Sequence, residues 1–344
     1  MRPPSSFGIG RDARDPVLDA VLPGLVGGFR FDGEGAGHAL RPEDLSGSAG
    51  ESERWLWLHF NLADARARDW IEAHAPLPEA ARDLLLDGDD HIRLIAEDDA
   101  LIGVFADFRR ELDRDSQDIS RLKFALHRHV LITGRRQALL SVDEGRRAVL
   151  QGERFESGEQ LLERIFDHFA DQVSATTRTL AQRLEVIEDR VVDDRVDPDD
   201  LRVGPIRRMA LRLNRQVGAL RLHFAALIDN PERDLPDDVF AMTERVALRL
   251  ASIARDVEAI QERARIIQEE VSAKNAQHMN RQLSTLSALT ALFLPATLVT
   301  GLFGMNTHGL PFGASDHGFW SAALVAAAGS GAVYLVLRRM GIMK

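Results

Sequence analysis

The spacing of apolar positions changes twice along the chain, and each change marks a different kind of structure. Up to about residue 155 the apolar residues come in short or alternating runs bounded by turn residues: "WLWLHFNL", "HIRLIAEDDALIGVFADFRR", "RLKFALHRHVLITG" and "ALLSVDE". Such runs predict strands, and "DARARDWIEAHAPLPEAARDLLL", lying between the first two, has helical spacing. Residues 1–155 are therefore expected to form an α/β domain. From there the spacing turns to three and four. Two helical segments, residues 158–194 and 199–229, form an expected hairpin within residues 156–235, joined at "VVDDRVDPDD".

Pro236 suits the first turn of a helix, and after it there is no further Pro before Pro295 and no Gly before Gly301. Val239, Met242, Val246, Leu250, Ile253, Val257, Ile260, Ala264, Ile267 and Val271 recur at three and four with mixed charges between them. This pattern predicts one continuous helix of about sixty residues. Its first part, residues 236–282, reads as a stalk, and its second part loses its charges altogether. Residues 283–303, "LSTLSALTALFLPATLVTGLF", would rise about 31 Å as a helix, which matches a ~30 Å hydrocarbon core. Residues 319–337, "FWSAALVAAAGSGAVYLVL", form a second chargeless run. A pair of buried soluble helices is the alternative, but soluble helices of this length normally keep a polar face.

Charge then orients the pair. From Gln282 to Leu337 the only formally charged side chain is Asp316. Lys274 and Arg281 precede the first run, Arg338, Arg339 and Lys344 follow the second, and the connector at residues 304–318 has no Lys or Arg. The positive-inside rule places both termini, including the basic tail at residues 338–344, in the cytoplasm and the connector outside. The net charge of -10 and the lack of a long basic cluster argue against a nucleic-acid partner and favour cations. Absence of cysteine removes thiolate sites. With no nucleophile–base signature, phosphate-binding glycine loop or metalloprotease helix, an enzyme is not expected.

The first apolar run carries a stripe. Alternate steps of three and four give Asn280, Leu283, Ser287, Thr290, Leu294, Thr297 and Gly301 on one helix face. Such a stripe wants either another helix or water. A helix-packing face and a pore lining are the two readings, and a pore needs several copies around an axis. The second run, rich in Ala326, Ala327, Gly329, Ser330 and Gly331, suits an outer packing helix, and Pro295 should kink the inner one. Elsewhere, His127 and His129 in "LHRHV" would share a strand face but have no third partner. "DGDDH" at residues 87–91 lacks calcium-loop spacing and reads as a strand-entry turn. The acidic turn Asp193, Asp194, Asp197, Asp199 and Asp200 is read as a solvated helix connection with an N-cap, with cation attraction as the alternative.

The order of parts, with "FLPATLVTGLFGMN" ending at Gly304, Met305 and Asn306, resembles the CorA family of divalent-cation transporters over essentially the whole chain. The resemblance implies a funnel-shaped homopentamer in the inner (plasma) membrane. Gly304, Met305 and Asn306 would form the pore entrance, and Thr297, Leu294, Thr290, Leu283 or Leu286, and Asn280 would line the path. Five amide oxygens from Asn306 can bind the water shell of a cation without stripping it. After the tripeptide, "THGLPFG" departs from magnesium-type members and is similar to the ZntB branch, associated with zinc uptake, although His308 stands where that branch often has glycine. His308, His317 and Asp316 supply candidate zinc ligands. No prosthetic group is implied. Zinc is the expected cargo, with magnesium, cobalt, nickel or cadmium as alternatives, a magnesium/cobalt channel as the near rival, and a membrane-anchored structural or signalling coiled-coil protein as the distant one.

Overall fold

The structure is a computed structural model that describes residues 16–41, 55–110, 118–192, 203–231, 234–305 and 318–341. Its elements, in order, are α1 (Pro16–Val21), β1 (Leu25–Phe31), β2 (Gly37–Ala39), β3 (Trp55–Asn61), α2 (Ala65–His74), α3 (Glu79–Leu86), β4 (Arg93–Glu97), β5 (Ala100–Phe108), β6 (Ile119–His127) and β7 (Val130–Arg135), followed by helices α4 (Leu140–Leu150), α5 (Gly158–Val192), α6 (Val203–Asp229), α7 (Asp237–Phe303) and α8 (Gly318–Arg339). They fall into two compact units, residues 1–186 with 203–265, and residues 187–202 with 266–344.

In the first unit the strands form one sheet in the order β2-β1-β3-β7-β6-β5-β4. Every neighbouring pair is antiparallel except β3 with β7, which run parallel and need the long connection through α2, α3 and the β4–β6 meander. Both faces are covered, so the central strands are buried on both sides: all nine residues of β5 are buried, Asp107 among them. On one face Leu58, Phe60, Ile102, Val104 and Ile132 pack with Ile71 of α2 and Leu84 of α3. On the other, Phe105 and Phe124 meet Phe166 of α5 at ring centroids of 4.5 and 5.8 Å, and Phe166 meets Phe224 of α6 at 5.3 Å. Alternation along each strand thus feeds two cores at once.

Three details differ from the sequence expectations. "ALLSVDE" is not a strand, because Leu140–Leu150 is helical as α4. Its first turn is held by Asp107, whose carboxylate supplies the cap that the apolar N-cap residue Leu139 lacks. His127 and His129 do not share a strand face. They flank the tight β6–β7 turn at Arg128, whose φ of 49° is left-handed, so their strand pairing ends at His127 with Val130. β1 and β2 lie outside the apolar runs that predict strands. Gly27 and Gly28 dilute β1's alternation, and β2 has three residues.

α7 changes character along its length. Val239, Met242, Val246, Leu250, Ile253, Val257, Ile260, Ala264, Ile267 and Val271, the positions of the sequence pattern, are all buried. Beyond Val271 its next buried apolar residue is Ala288. Arg245 and Arg249 of α7 pair with Glu163 and Asp171 of α5 at 2.7 and 2.8 Å, and Asn214 of α6 donates to Gln261 at 2.7 Å. In the second unit Lys274 donates to the carbonyl of Val191 near the C-terminus of α5, a favourable place for a cation.

Candidate functional site

Among the described residues two helices are long and apolar enough to cross a membrane, the later part of α7 and the whole of α8. Their windows of mean hydropathy 1.8 and 1.7 are 6% and 0% buried within the chain, which is the reverse of a soluble core helix. The two meet at small residues. A Cβ added at Gly329 would stand 3.0 Å from Cβ of Pro295, and Ser330 donates its hydroxyl to the Leu292 carbonyl at 2.9 Å. Ala288 is buried, and Ala291, Leu292, Pro295, Ala296, Val299 and Phe303 are half-buried along this face of α7.

The sequence-derived stripe lies on the other side. Asn280, Leu283, Ser287, Thr290, Leu294, Thr297 and Gly301 are all exposed, as is Leu286. At ~100° per residue the stripe centres roughly opposite the Ala288, Leu292 and Pro295 face. Packing against the chain's own second span therefore does not account for its hydroxyls. The threonines place those hydroxyls in a defined way. Thr290 donates to the Leu286 carbonyl at 2.9 Å and Thr297 to the Phe293 carbonyl at 3.0 Å. Each proton is spent one turn back, so each oxygen presents only lone pairs outward. Acceptors of this kind suit the outward-pointing hydrogens of a hydrated cation.

α7 ends at Phe303, and Gly304 and Met305 close it through bonds to the Thr300 and Leu302 carbonyls at 2.9 and 3.4 Å. Met305 is exposed. Asn306, His308, Asp316 and His317, and the acidic turn Asp193, Asp194, Asp197, Asp199 and Asp200, lie outside the described residues. Among the described residues no group of three or more His, Asp or Glu side chains could hold a metal ion.

In the sheet domain the polar constellations are absorbed by the fold. In "DGDDH", Asp87 takes Arg93 at 2.8 Å, Asp89 takes the backbone N–H of His91 at 3.0 Å, and Asp90 lies 3.8 Å from the Lys123 ammonium. Lys123 itself donates to the Leu84 and Asp87 carbonyls at the C-terminus of α3, at 3.1 and 2.6 Å. The acids are spent in a turn that leads into β4, as its spacing implied. Buried His59 accepts from Arg135 Nε at 2.9 Å through Nε2 and so donates from Nδ1 to Thr133 Oγ1 at 2.8 Å. Burial, then the Arg135 and Arg146 charges, hold its imidazole well below the usual range. A cleft of about 600 Å³ lies beside the start of β6 and α6, lined by Asp90, His91, Arg121, Arg215 and Gln216 among others. With Nε2 taken by Arg135 and Nδ1 donating, His59 has no lone pair left to act as a base on the Thr133 hydroxyl.

A sheet domain followed by long helices and an exposed apolar helix pair defines a membrane protein with a large non-membrane part. The sequence profile of the CorA-like Mg2+ transporter protein family matches residues 52–339, and the chain belongs to the CorA family of divalent-cation transporters; it is not an enzyme. It is 26% identical over 319 residues to the divalent cation transporter CmaX of Pseudomonas aeruginosa, covering 92% of this chain and 96% of that protein. It is 23% identical over 298 residues to the zinc transport protein ZntB of Klebsiella pneumoniae, covering 87% and 90%. The structure of full-length CmaX superposes with a TM-score of 0.75 at 26% identity, covering 92% of this chain and 97% of that one. The CorA magnesium transporter of Methanocaldococcus jannaschii gives 0.73 at 15% identity, covering 92% and 99%, a likeness of fold.

Proposed function

We propose that the chain carries zinc, among divalent cations, into the cell through a path lined by the first span of each subunit of a homopentamer in the inner membrane. In this reading both termini are on the cytoplasmic side, which the basic flanks Lys274, Arg281, Arg338 and Arg339 support. The observation that carries this reading is the stripe from Asn280 to Gly301, exposed on the face roughly opposite Gly329 and Ser330. One helical hairpin cannot enclose water, so the stripe acquires a function when several copies face a common axis. Thr290 and Thr297 then offer rings of acceptors to a hydrated ion, and Leu283, Leu286 and Leu294 offer rings that close by dewetting. In this reading Gly304, Met305 and Asn306 form the outer entrance, and Asn306 sets selectivity by binding the ion's water shell.

Zinc is favoured over magnesium by relatives named zinc transport protein ZntB and by the sequence after Asn306, where His308, Asp316 and His317 supply ligands of a kind zinc uses. The test is flux in proteoliposomes with zinc, magnesium and cobalt supplied in turn, with and without a pH gradient. Zinc uptake should exceed magnesium uptake, and Asn306→Ala should abolish the discrimination or the flux. Magnesium or cobalt moving faster than zinc would overturn the ion assignment. Unaltered zinc flux with Thr290 and Thr297 both changed to Leu would overturn the lined path, and no flux of any of the three ions through the wild type would favour a membrane anchor.

A further inference from the structure

Pro295 interrupts α7 in the middle of its apolar part. It withdraws the N–H that the Ala291 carbonyl would accept, and its ring presses on the preceding turn, so the helix has a weak point there. Two neighbours on α8 meet that point. Gly329 leaves room for the ring, since any Cβ at 329 would come within 3.0 Å of it, tighter than an ordinary contact. Ser330, next in the chain, donates its hydroxyl to the Leu292 carbonyl at 2.9 Å, three residues before the proline. The contrast with the α7 threonines is informative, because Thr285, Thr290, Thr297 and Thr300 bond back within their own helix whereas Ser330 reaches across to another. Gly331, one residue further, has nothing within 4 Å of its Cβ position.

We propose that Gly329 and Ser330 form a joint that fixes the course of α7 through its weak point at Pro295, which makes Ser330 a positioning residue for transport. The inference rests on the reading that the first span lines the path. Leu283, Ser287, Thr290 and Leu294 lie before the joint and Thr297 and Gly301 after it, so a change of course there moves one half of the stripe relative to the other. The Ser330 bond acts without touching the ion. It determines how readily the two halves align.

The chain has no cysteine, so spin labels can be placed on Ser284→Cys and Leu302→Cys, about 27 Å apart along the helix. A minority of labelled subunits in each assembly keeps the measured distance within one chain. Wild type, Ser330→Thr and Gly331→Ala should give the same narrow distance distribution and the same zinc flux. Ser330→Ala and Gly329→Ala should broaden or shift the distribution and change the flux about threefold, the size expected for one interhelical hydrogen bond in a bilayer, with the ranking of ions preserved. Distances that do not change in Ser330→Ala and Gly329→Ala overturn the joint. Changed distances with unchanged flux overturn its role in transport, provided Thr290→Leu with Thr297→Leu lowers flux. If that control has no effect on flux, the lined path itself has failed, and the spin-label distances still decide whether the joint exists.

Discussion

Asp107 at the end of β5 takes both the hydroxyl and the backbone N–H of Ser141, at 2.6 and 3.0 Å, and so caps α4 from a different element. The carboxyl is fully buried. Burial pushes it up from 3.8 to about 7, against the hydrogen bonds from Ser141, Phe108 and Val142 that pull it down. Between these two values the folded chain holds a proton that the unfolded chain has released. The stability it contributes is complete below about 3.8 and is lost as pH rises through about 7. Asp107→Asn should therefore gain on wild type as pH rises from 5 to 8, read as thermal midpoints of the detergent-solubilised protein. A difference between the two that stays constant over that range would contradict the buried titration.

His59 has the opposite sign. Its folded value lies well below 6.5, so its contribution is complete above 6.5 and declines as pH falls. Thr133 Oγ1 accepts from both His59 Nδ1 and Trp57 Nε1, at 2.8 and 2.9 Å. Thr133→Val keeps the shape and leaves two buried donors without their acceptor, which should cost about 2–4 kcal/mol. Thr133→Ser, which restores the oxygen, should recover most of the loss. Equal midpoints for the Val and Ser variants would show that shape, and not the hydrogen bonds, matters at this position.

Phe166 and Arg245 illustrate how unequal two contacts between helices and their neighbours are. Phe166 is buried between the sheet and α6, touching Phe105, Phe124 and Phe224. Phe166→Ala should cost about 3–5 kcal/mol. Arg245 forks Glu163 with two 2.7 Å bonds but is about half exposed, so Arg245→Ala should cost less than about 1 kcal/mol. Chemical denaturation of the two variants under one condition checks the order, and a larger loss at Arg245 would refute it.

Where burial repeats with a helical period the sequence was readable, and where it does not it was not. The ten apolar positions from Val239 to Val271 are all buried, and the seven-residue stripe from Asn280 to Gly301 is all exposed. The buried set follows from a single period carried over many turns, whereas the stripe is one face by its spacing and its neighbours Leu289, Phe293 and Leu298 are exposed with it. "ALLSVDE" was read as a strand because its cap comes from Asp107, more than thirty residues earlier, and no local signal shows it. The 127/129 alternation gives no sign of the turn, because Arg128 adopts its left-handed conformation without a glycine to mark it. In the sequence Ser330 is one small residue among several in a packing face. Its bond depends on which turn of α7 lies opposite, a tertiary relation.

The stripe's hydroxyls permit a test in which volume hardly changes. Thr290→Val is nearly isosteric and removes the oxygen; Thr290→Ser keeps the oxygen and its bond back to Leu286 while removing a methyl group. Packing against another helix would favour Val, because a buried methyl is worth about 0.8 kcal/mol and an oxygen already bonded to its own helix adds little. Lining a water-filled path would favour Ser, because the ring of outward lone pairs is retained. Zinc flux through Thr290→Ser should stay within about twofold of wild type, while Thr290→Val should fall about tenfold, the effect of ~1.4 kcal/mol on the barrier. Comparable flux through both variants would return the stripe to a packing role and leave the route of the ion to be sought on another face of the first span.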